Sequence, residues 1–209
     1  VGISAGISYG QLGSTHHSLH DYAVLRTINN LTIVSPADNF EASEVIRRAV
    51  SFNKPLYIRY GKKPMINLHK KDSNFEIGKA SIICEGNDIT IIGTGETVQR
   101  AFLASRILKG DGVNAEVISM HTIKPFDEDT LMKSIKKTNC LISVEEHSIY
   151  GGLGECCASL ISQAGYNTKF KILGIPDEYM INGSQADVLD HYDMSPEKIA
   201  EISKSLLNQ

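Results

Sequence analysis

The sequence predicts an α/β protein made of two consecutive open, mostly parallel-sheet domains with helices on both faces. Short apolar runs of strand length alternate along the chain with longer segments whose apolar residues recur at helical spacing. Glycine-rich turns follow several of the predicted strands. A strand, a helix and a second strand in this order form a right-handed parallel unit. Repetition of that unit builds a sheet that is covered on both sides.

The first segment of the chain contains three predicted strands and two predicted helices. The strands cover residues 1–7, 31–34 and 56–60, and the helices cover residues 21–28 and 39–52. Pro36 precedes the second helix and Pro55 follows it, as expected for a residue that opens or breaks helices. The last two strands should therefore form a parallel pair with a helix between them.

Residues 61–75 are polar, basic and rich in turn-forming residues, and we interpret them and their lysines as a solvated linker. A domain boundary near residue 70 gives predicted domains of residues 1–70 and 71–209. In the second domain the predicted strands cover residues 88–95 (with a closing glycine turn), 113–119, 140–144 and 170–173, and the predicted helices cover residues 96–108, 127–136, 155–164 and 196–207. This alternation predicts a doubly wound sheet.

Composition excludes several classes of protein. The chain has 209 residues and a formal net charge of -3. Both signs are mixed throughout, so no basic stripe indicates nucleic acid and no charged tail indicates a membrane surface. With no long apolar run, no basic-then-apolar leader and four cysteines that fit reduced thiols, we expect a soluble cytoplasmic protein. Because the chain opens with Val1 and not Met, we expect it to be the later part of a longer polypeptide.

The leading candidate site is the turn of residues 10–21, which carries two glycines and three of the seven histidines. It follows the first predicted strand, and open α/β sheets bind ligands at the carboxyl ends of their strands. Gly10 and Gly13 allow a tight turn that would hold His16, whose imidazole can exchange protons near neutral pH. The alternative is that these histidines cap a helix or bind nothing. A metal site is disfavoured because no Cys or carboxylate lies at zinc-like spacing.

Two further glycine motifs have competing interpretations. Residues 110–112 read Gly-Asp-Gly, but they follow a predicted helix, so we interpret them as its C-cap and not as a diphosphate-metal motif. Residues 151–154 read Gly-Gly-Leu-Gly between a strand and a helix, where free amides could bind an anion. No Lys or Arg lies beside them, so close packing of the helix on the sheet is at least as good an interpretation.

Five motifs have counterparts in one enzyme family. Residues 13–17 read Gly-Ser-Thr-His-His and residues 36–38 read Pro-Ala-Asp, and both resemble the later half of the pyrimidine-binding domain of transketolases. The Thr-Ile-Lys-Pro-Phe-Asp of 122–127, the Val-Glu-Glu-His of 144–147 and the Gly-Ile-Pro-Asp of 174–177 resemble the transketolase C-terminal domain. The resemblance covers nearly the whole chain. It implies the end of a thiamine-diphosphate-binding fold followed by a transketolase C-terminal-like domain.

The resemblance implies roles for two residues. In the family, thiamine diphosphate and a divalent metal such as Mg²⁺ lie between two protomers, which implies a dimer or larger assembly. The histidine of the motif, here His16, contacts the donor sugar near the reacting carbonyl and helps to move protons. An arginine on the last strand of the pyrimidine-binding domain holds the substrate phosphate, and Arg59 matches it. A surface ion pair is the alternative for Arg59.

The sequence also departs from the family pattern at two substrate-facing positions. Where classical transketolases carry an acidic pair before the motif, this chain has Gln11 and Leu12, and Leu12 cannot hydrogen-bond an acceptor hydroxyl. A second phosphate-contacting histidine corresponds to Ser4. Both differences indicate a specialised sugar substrate. The family's cofactor-activating glutamate and its diphosphate and metal site would lie upstream of Val1, so no cofactor or metal ligand is assigned here.

We therefore predict the C-terminal portion or subunit of a thiamine-diphosphate-dependent transferase that moves a two-carbon ketol unit between sugars or sugar phosphates. It would act as a homodimer or paired with an N-terminal transketolase subunit, and it would be inactive without the diphosphate-binding part. One alternative is a thiamine enzyme like deoxyxylulose-phosphate synthase or the beta component of 2-oxo-acid dehydrogenases. The other is a non-catalytic assembly subunit.

Overall fold

The computed structural model of the chain describes residues 1–70 and 72–209. The strands are β1 (Thr32–Val34), β2 (Leu56–Ile58), β3 (Ser81–Cys84), β4 (Ile89–Gly93), β5 (Ala115–Ser119), β6 (Thr122–Lys124), β7 (Cys140–Ser148) and β8 (Lys169–Ile175). The α-helices are α1 (Asp21–Arg26), α2 (Asn39–Ala49), α3 (Thr97–Gly110), α4 (Glu128–Thr138), α5 (Leu153–Gln163), α6 (Gln185–His191) and α7 (Pro196–Leu207). Within the described ranges, the apolar stretch of every helix is too short to cross a lipid bilayer.

The larger sheet has the strand order β3-β5-β4-β7-β8, and all its neighbours are parallel except β3, which runs antiparallel to β5. Alternate residues of β4 face opposite sides: Ile91 packs with α3 and α7, whereas Ile92 packs with α4 and α5. Both faces of the sheet are therefore covered by helices, and the central strands β4, β5 and β7 are buried along their whole length. The predicted fold class is confirmed.

The smaller sheet joins the two segments of the chain. Its order is β2-β1-β6, with β1 and β2 parallel as predicted, and β6 of the second segment pairs antiparallel with β1. One apolar cluster contains Tyr22 and Ile33 of the first segment together with Met120 and Leu131 of the second. The domain boundary near residue 70 stays a prediction. Residue 71, which falls in the predicted linker, lies outside the described residues.

The prediction of a strand over residues 1–7 is wrong. This stretch makes only single bridges, from Gly2 to Arg59 and from Gly6 to Ser18. Ser4 and Gly6 have φ angles of 62° and 63°, which turn the backbone out of the extended form. Strands β3 and β6 and helix α6 were not predicted from the sequence, and the predicted end of β7 is four residues early.

The Gly-Asp-Gly motif ends a helix, as predicted. Helix α3 stops at Gly110, and Asp111 is its C-cap. Gly112 has a φ angle of 81°, and the amide of Val113 returns to the carbonyl of Leu108 at 2.9 Å. This hydrogen bond satisfies a carbonyl in the last turn of the helix.

Candidate functional site

The predicted histidine turn consists of two short 3-10 helices, Gly10–Leu12 and Ser14–His16, with Gly13 between them. Gly13 has a φ angle of 75°, which a residue with a Cβ adopts only with strain. A Cβ on Gly10 would lie 2.5 Å from the carbonyl oxygen of Gly183. The turn is therefore built from glycine because it packs tightly against the start of α6.

His16 is exposed at the end of this turn. Its Nδ1 lies 3.0 Å from the Thr15 hydroxyl, which orients the ring. The ring meets Tyr9 edge-on with 6.2 Å between centroids. The exposed position suits a group that contacts a substrate, and the N-cap of α1 is His20, which makes no side-chain capping hydrogen bond.

Two of the predicted site residues, Ser4 and His16, lie beside Tyr9 together with Lys62. The ammonium of Lys62 lies 3.9 Å from the Tyr9 ring centroid, a cation–π distance. Hydrogen bonding with Ser4 and with Lys62 lowers the pKa of the Tyr9 hydroxyl. Ser4, His16 and Lys62 thus lie around a single aromatic ring that no sequence motif singled out.

A groove of about 300 Å³ runs beside Tyr9. We call it the lysine groove, and its lining residues are Ser8, Tyr9, Gly10, Gln11, Leu12, Lys62, Lys63, Ser184 and Gln185. Leu12 is 56% exposed and forms an apolar part of its wall. Lys62 and Lys63 were interpreted as part of a solvated linker, but the structure puts them at the predicted site. Their separation in sequence from the histidine turn hid this relationship.

Arg59 lies behind this surface and not on it. Its side chain is 5% exposed, and its Nε donates to Asp21 Oδ2 at 2.8 Å. Nη2 donates to the carbonyls of Ser18 and Glu146, both at 3.0 Å, and the guanidinium stacks over Tyr22. Burial opposes the charge on Arg59, but Tyr22 and Asp21 raise its pKa above the ordinary value. The alternative of a surface ion pair is wrong, and contact of Arg59 with a substrate phosphate stays a prediction.

The Gly-Gly-Leu-Gly motif binds an anion that belongs to the chain itself. The amides of Leu153 and Gly154 donate to the Glu145 carboxylate at 2.6 and 2.7 Å. Burial raises the pKa of Glu145 to about 7, and these two amides partly offset it. A Cβ on Gly154 would also lie 2.5 Å from Ile172 Cγ2. The motif therefore does both things that were considered for it. Its amides bind a carboxylate, and the absence of a Cβ on Gly154 allows α5 to pack closely on the sheet.

The part of the chain that the structure describes brings no cluster of metal ligands together. Within residues 1–70 and 72–209, no three His, Cys, Asp or Glu side chains are placed to hold a metal ion. Mg²⁺ is held by oxygen ligands, chiefly carboxylates and phosphates, and the described carboxylates form no such cluster.

Both segments of the chain match known protein families. Residues 1–65 match the family described as transketolase, pyrimidine binding domain, and residues 78–199 match transketolase, C-terminal domain. The chain therefore belongs to the transketolase family.

Individual relatives show how much of such an enzyme is present. The chain is 38% identical over 202 residues to an apulose-4-phosphate transketolase subunit of Phocaeicola vulgatus, covering 96% of this chain and 64% of that protein. It is 36% identical over 163 residues to a 6-deoxy-6-sulfo-D-fructose transketolase subunit of a Clostridium species, covering 78% and 51%. A solved structure described as "split gene transketolase, inactive beta4 tetramer" superposes with a TM-score of 0.88 at 26% identity, covering 99% and 65%. The chain thus spans roughly half to two thirds of these proteins.

Proposed function

We propose that this chain forms the substrate-facing wall of a thiamine-diphosphate-dependent transketolase-like enzyme. The observation that supports this most directly is the exposed imidazole of His16, held by Thr15 in the Gly-Ser-Thr-His turn. The diphosphate and Mg²⁺ would be bound by an N-terminal part, on the same polypeptide or on a separate subunit. The reaction would move a two-carbon ketol unit from one sugar to another.

His16 would act on protons next to the reacting carbonyl. Because the Thr15 hydroxyl contacts Nδ1, the Nε2 atom is the ring nitrogen presented to substrate. It would hydrogen-bond the hydroxyl adjacent to the carbonyl and exchange a proton with it. Bound thiamine diphosphate supplies the carbon nucleophile of this chemistry. The task of this chain is to orient the sugar and to move the proton.

The lysine groove would bind the anionic end of the sugar. Lys62 and Lys63 line the groove, and Tyr9 holds the Lys62 ammonium near His16. Ammonium groups bind phosphate or sulfonate oxygens through charge-assisted hydrogen bonds. The names of two relatives, an apulose-4-phosphate and a 6-deoxy-6-sulfo-D-fructose transketolase subunit, both refer to anionic sugars. Leu12 would shape the acceptor side of the site, and the small Ser4 side chain would leave space beside Tyr9.

The chain would pair with an N-terminal transketolase subunit or domain before it becomes active. The neighbour described as an inactive beta4 tetramer supports this proposal, because its fold covers 99% of this chain. We place the enzyme in the cytoplasm, with residues 1–70 as the end of the pyrimidine-binding domain and residues 71–209 as the C-terminal domain.

The test is an assay of the complete assembly with thiamine diphosphate and Mg²⁺. We expect ketol transfer from a ketose phosphate to an aldose without release of carbon dioxide. Condensation of pyruvate with an aldehyde, with carbon dioxide released, would instead indicate a synthase. Absence of turnover with either donor, from an assembly of the correct size, would indicate a non-catalytic subunit.

A further inference from the structure

We propose that Gln185 is a positioning residue that holds the histidine turn and the lysine groove in place through two carboxylates of the second segment, Glu146 and Glu96. This inference rests on the proposed function, since it assigns part of the site's geometry to the C-terminal half. The contacts of Gln185 connect that half to the substrate-facing surface.

The side-chain amide of Gln185 bridges the two carboxylates. Gln185 is 4% exposed, and its Nε2 lies 2.8 Å from Glu146 Oε1 and 3.0 Å from Glu96 Oε2. A primary amide has two N–H groups, so it can donate one to each carboxylate. Both hydrogen bonds are charge-assisted when their acceptors are ionised. Gln185 therefore fixes the distance between β7, which carries Glu146, and the residue just before α3, Glu96.

The other contacts of these carboxylates lead to the candidate site. Glu146 Oε1 accepts the backbone amide of Ile7 at 2.5 Å, and Ile7 lies just before the histidine turn. Glu96 Oε1 accepts the backbone amide of Lys62 at 3.0 Å. Each amide belongs to the first segment and each carboxylate to the second. A change at Gln185 is thus transmitted to both sides of the lysine groove through one intervening side chain.

The fit around the bridge leaves little room for rearrangement. A Cβ on Gly6 would overlap the carboxyl group of Glu146, and a Cβ on Gly61 would overlap that of Glu96. A Cβ on Gly10 would lie 3.0 Å from the backbone nitrogen of Gln185. These contacts show the first segment pressed directly onto the bridge, so that small shifts of the carboxylates displace the site.

Charges around the bridge explain why an amide is suited to this position. Burial and then the nearby Glu96 raise the pKa of Glu146 to about 7, while Gln185, the Ile7 amide and Arg59 lower it. Arg100 also faces both carboxylates, as well as Asp190 and Glu197, and burial lowers its pKa. A neutral double donor holds two carboxylates at close range without adding charge. A third carboxylate in its place would repel both of them once ionised.

The experiment uses the complete assembly with three variants. Gln185→Ala removes both donors, Gln185→Glu keeps the shape but can become charged, and Gln163→Ala on α5 makes the same deletion at an exposed site. Hydrogen exchange followed by mass spectrometry reports the amides of Ile7 and Lys62 directly. Steady-state kinetics for ketol transfer, measured as a function of pH, show whether the candidate site still functions.

For Gln185→Ala we expect exchange at the Ile7 and Lys62 amides to become about tenfold faster, the equivalent of one lost hydrogen bond. Exchange in β4, assembly size and the Gln163→Ala control should stay at wild-type values. We expect kcat/KM to fall by about tenfold or more. For Gln185→Glu we expect the loss of activity to be larger at high pH than at low pH, because an ionised carboxylate at this position repels Glu146 and Glu96, whereas a protonated carboxyl can still donate one hydrogen bond.

Unchanged exchange at both amides in Gln185→Ala would overturn the inference, as would faster exchange with wild-type kcat/KM. A uniform rise in exchange across the chain would also overturn it, because Gln185 would then serve only global stability. The proposed function is tested separately by His16 variants. If those keep full activity, the proposed function fails, whereas the exchange result still decides whether Gln185 positions these loops.

Discussion

The guanidinium Nε of Arg59 lies 2.8 Å from Asp21 Oδ2, in an ion pair whose side chains are only 5% and 12% exposed. The pair joins the strand that ends at Ile58 to the first turn of α1, directly behind the histidine turn. An arginine placed to bind a sugar phosphate would need exposed N–H groups. The N–H groups of Arg59 instead bind Asp21 and two backbone carbonyls inside the protein. We therefore expect Arg59 to contribute mainly to the stability of the fold and to the position of the histidine turn.

Replacing Arg59 should therefore destabilise the fold. Arg59→Met leaves Asp21 without its cation, and we expect the free energy of unfolding to fall by about 3 kcal/mol. Chemical denaturation measures this. Arg47→Ala serves as the control, because its ion pair with Glu44 has the Arg47 side chain 76% exposed and should contribute almost nothing. If Arg59→Met kept wild-type stability but raised KM for phosphorylated substrates, this would indicate that Arg59 contacts the substrate.

Lys62 should determine affinity for the anionic end of the sugar. Lys62→Ala should raise KM about tenfold or more for phosphorylated donors, because a charge-assisted hydrogen bond is lost. KM for a donor without the anionic group should hardly change, and kcat should stay close to wild type. Lys54→Ala, outside the lysine groove, is the matched control. Equal effects on charged and uncharged donors would contradict an anion-binding role.

Asp38 should make the free energy of unfolding depend on pH in the acidic range. Burial alone would raise its pKa, but hydrogen bonds from the His69 side chain and from the amides of Glu41 and His69 lower it from 3.8 to about 2. A depressed carboxyl pKa stabilises the fold above the unfolded-state pKa, and this contribution is lost as the pH falls from about 4 to 2.

We therefore expect Asp38→Asn to remove about 2 kcal/mol of this acid-dependent stability. The effect would appear as a flatter profile of unfolding free energy over that pH interval. Asp129→Asn, whose side chain is 79% exposed, should leave the profile as it is. A wild-type acid profile in Asp38→Asn would show that the hydrogen bonds to its carboxylate do not favour the ionised form.

Alanine substitutions at Gly6 and Gly165 distinguish the cost of backbone strain from the cost of steric overlap. Their φ angles are 63° and 62°, but a Cβ on Gly6 would overlap Glu146, whereas nothing lies within 4 Å of one on Gly165. Gly165→Ala should cost about 1 kcal/mol of folding free energy for its left-handed backbone. Gly6→Ala should cost about 3 kcal/mol, since overpacking is added. Thermal unfolding of both variants measures the difference, and equal losses would mean that Glu146 moves aside freely.

The sequence predicted four of the five strands of the larger sheet, because β4, β5 and β7 are buried along their whole length and helices α4 and α7 have clear N-caps. It missed β3, the partly exposed edge strand. Asp127 caps α4 and Ser195 caps α7, each by accepting an amide three residues ahead. The early end predicted for β7 falls where a polar residue is buried. Glu146 lies within β7 at 4% exposure, yet a glutamate in a sequence indicates a loop. The Ile7 amide and Gln185, both far away in sequence, donate hydrogen bonds to its carboxylate, and the charge of Arg59 also favours its ionised form.

The candidate site was predicted in part. His16 lies exposed in a glycine turn, as its sequence context indicated, whereas Tyr9 and Lys62 were missed. Those two residues are 53 positions apart, and their contact depends on the return of β2 beside the first seven residues. No local pattern reports such a contact. The prediction for Arg59 came from a motif match, which carries no information on whether the side chain is exposed.

The most direct test of the account is turnover by the complete assembly carrying His16→Ala, measured with a ketose phosphate donor. His191→Ala is the control, because that histidine is also exposed but lies at the end of α6. We expect kcat to fall on the order of 100-fold in His16→Ala, the usual contribution of a positioned acid-base group. Assembly size and melting temperature should equal those of wild type and of the control. Full turnover without the His16 imidazole would contradict the claim that this chain presents a proton-transferring residue to the sugar.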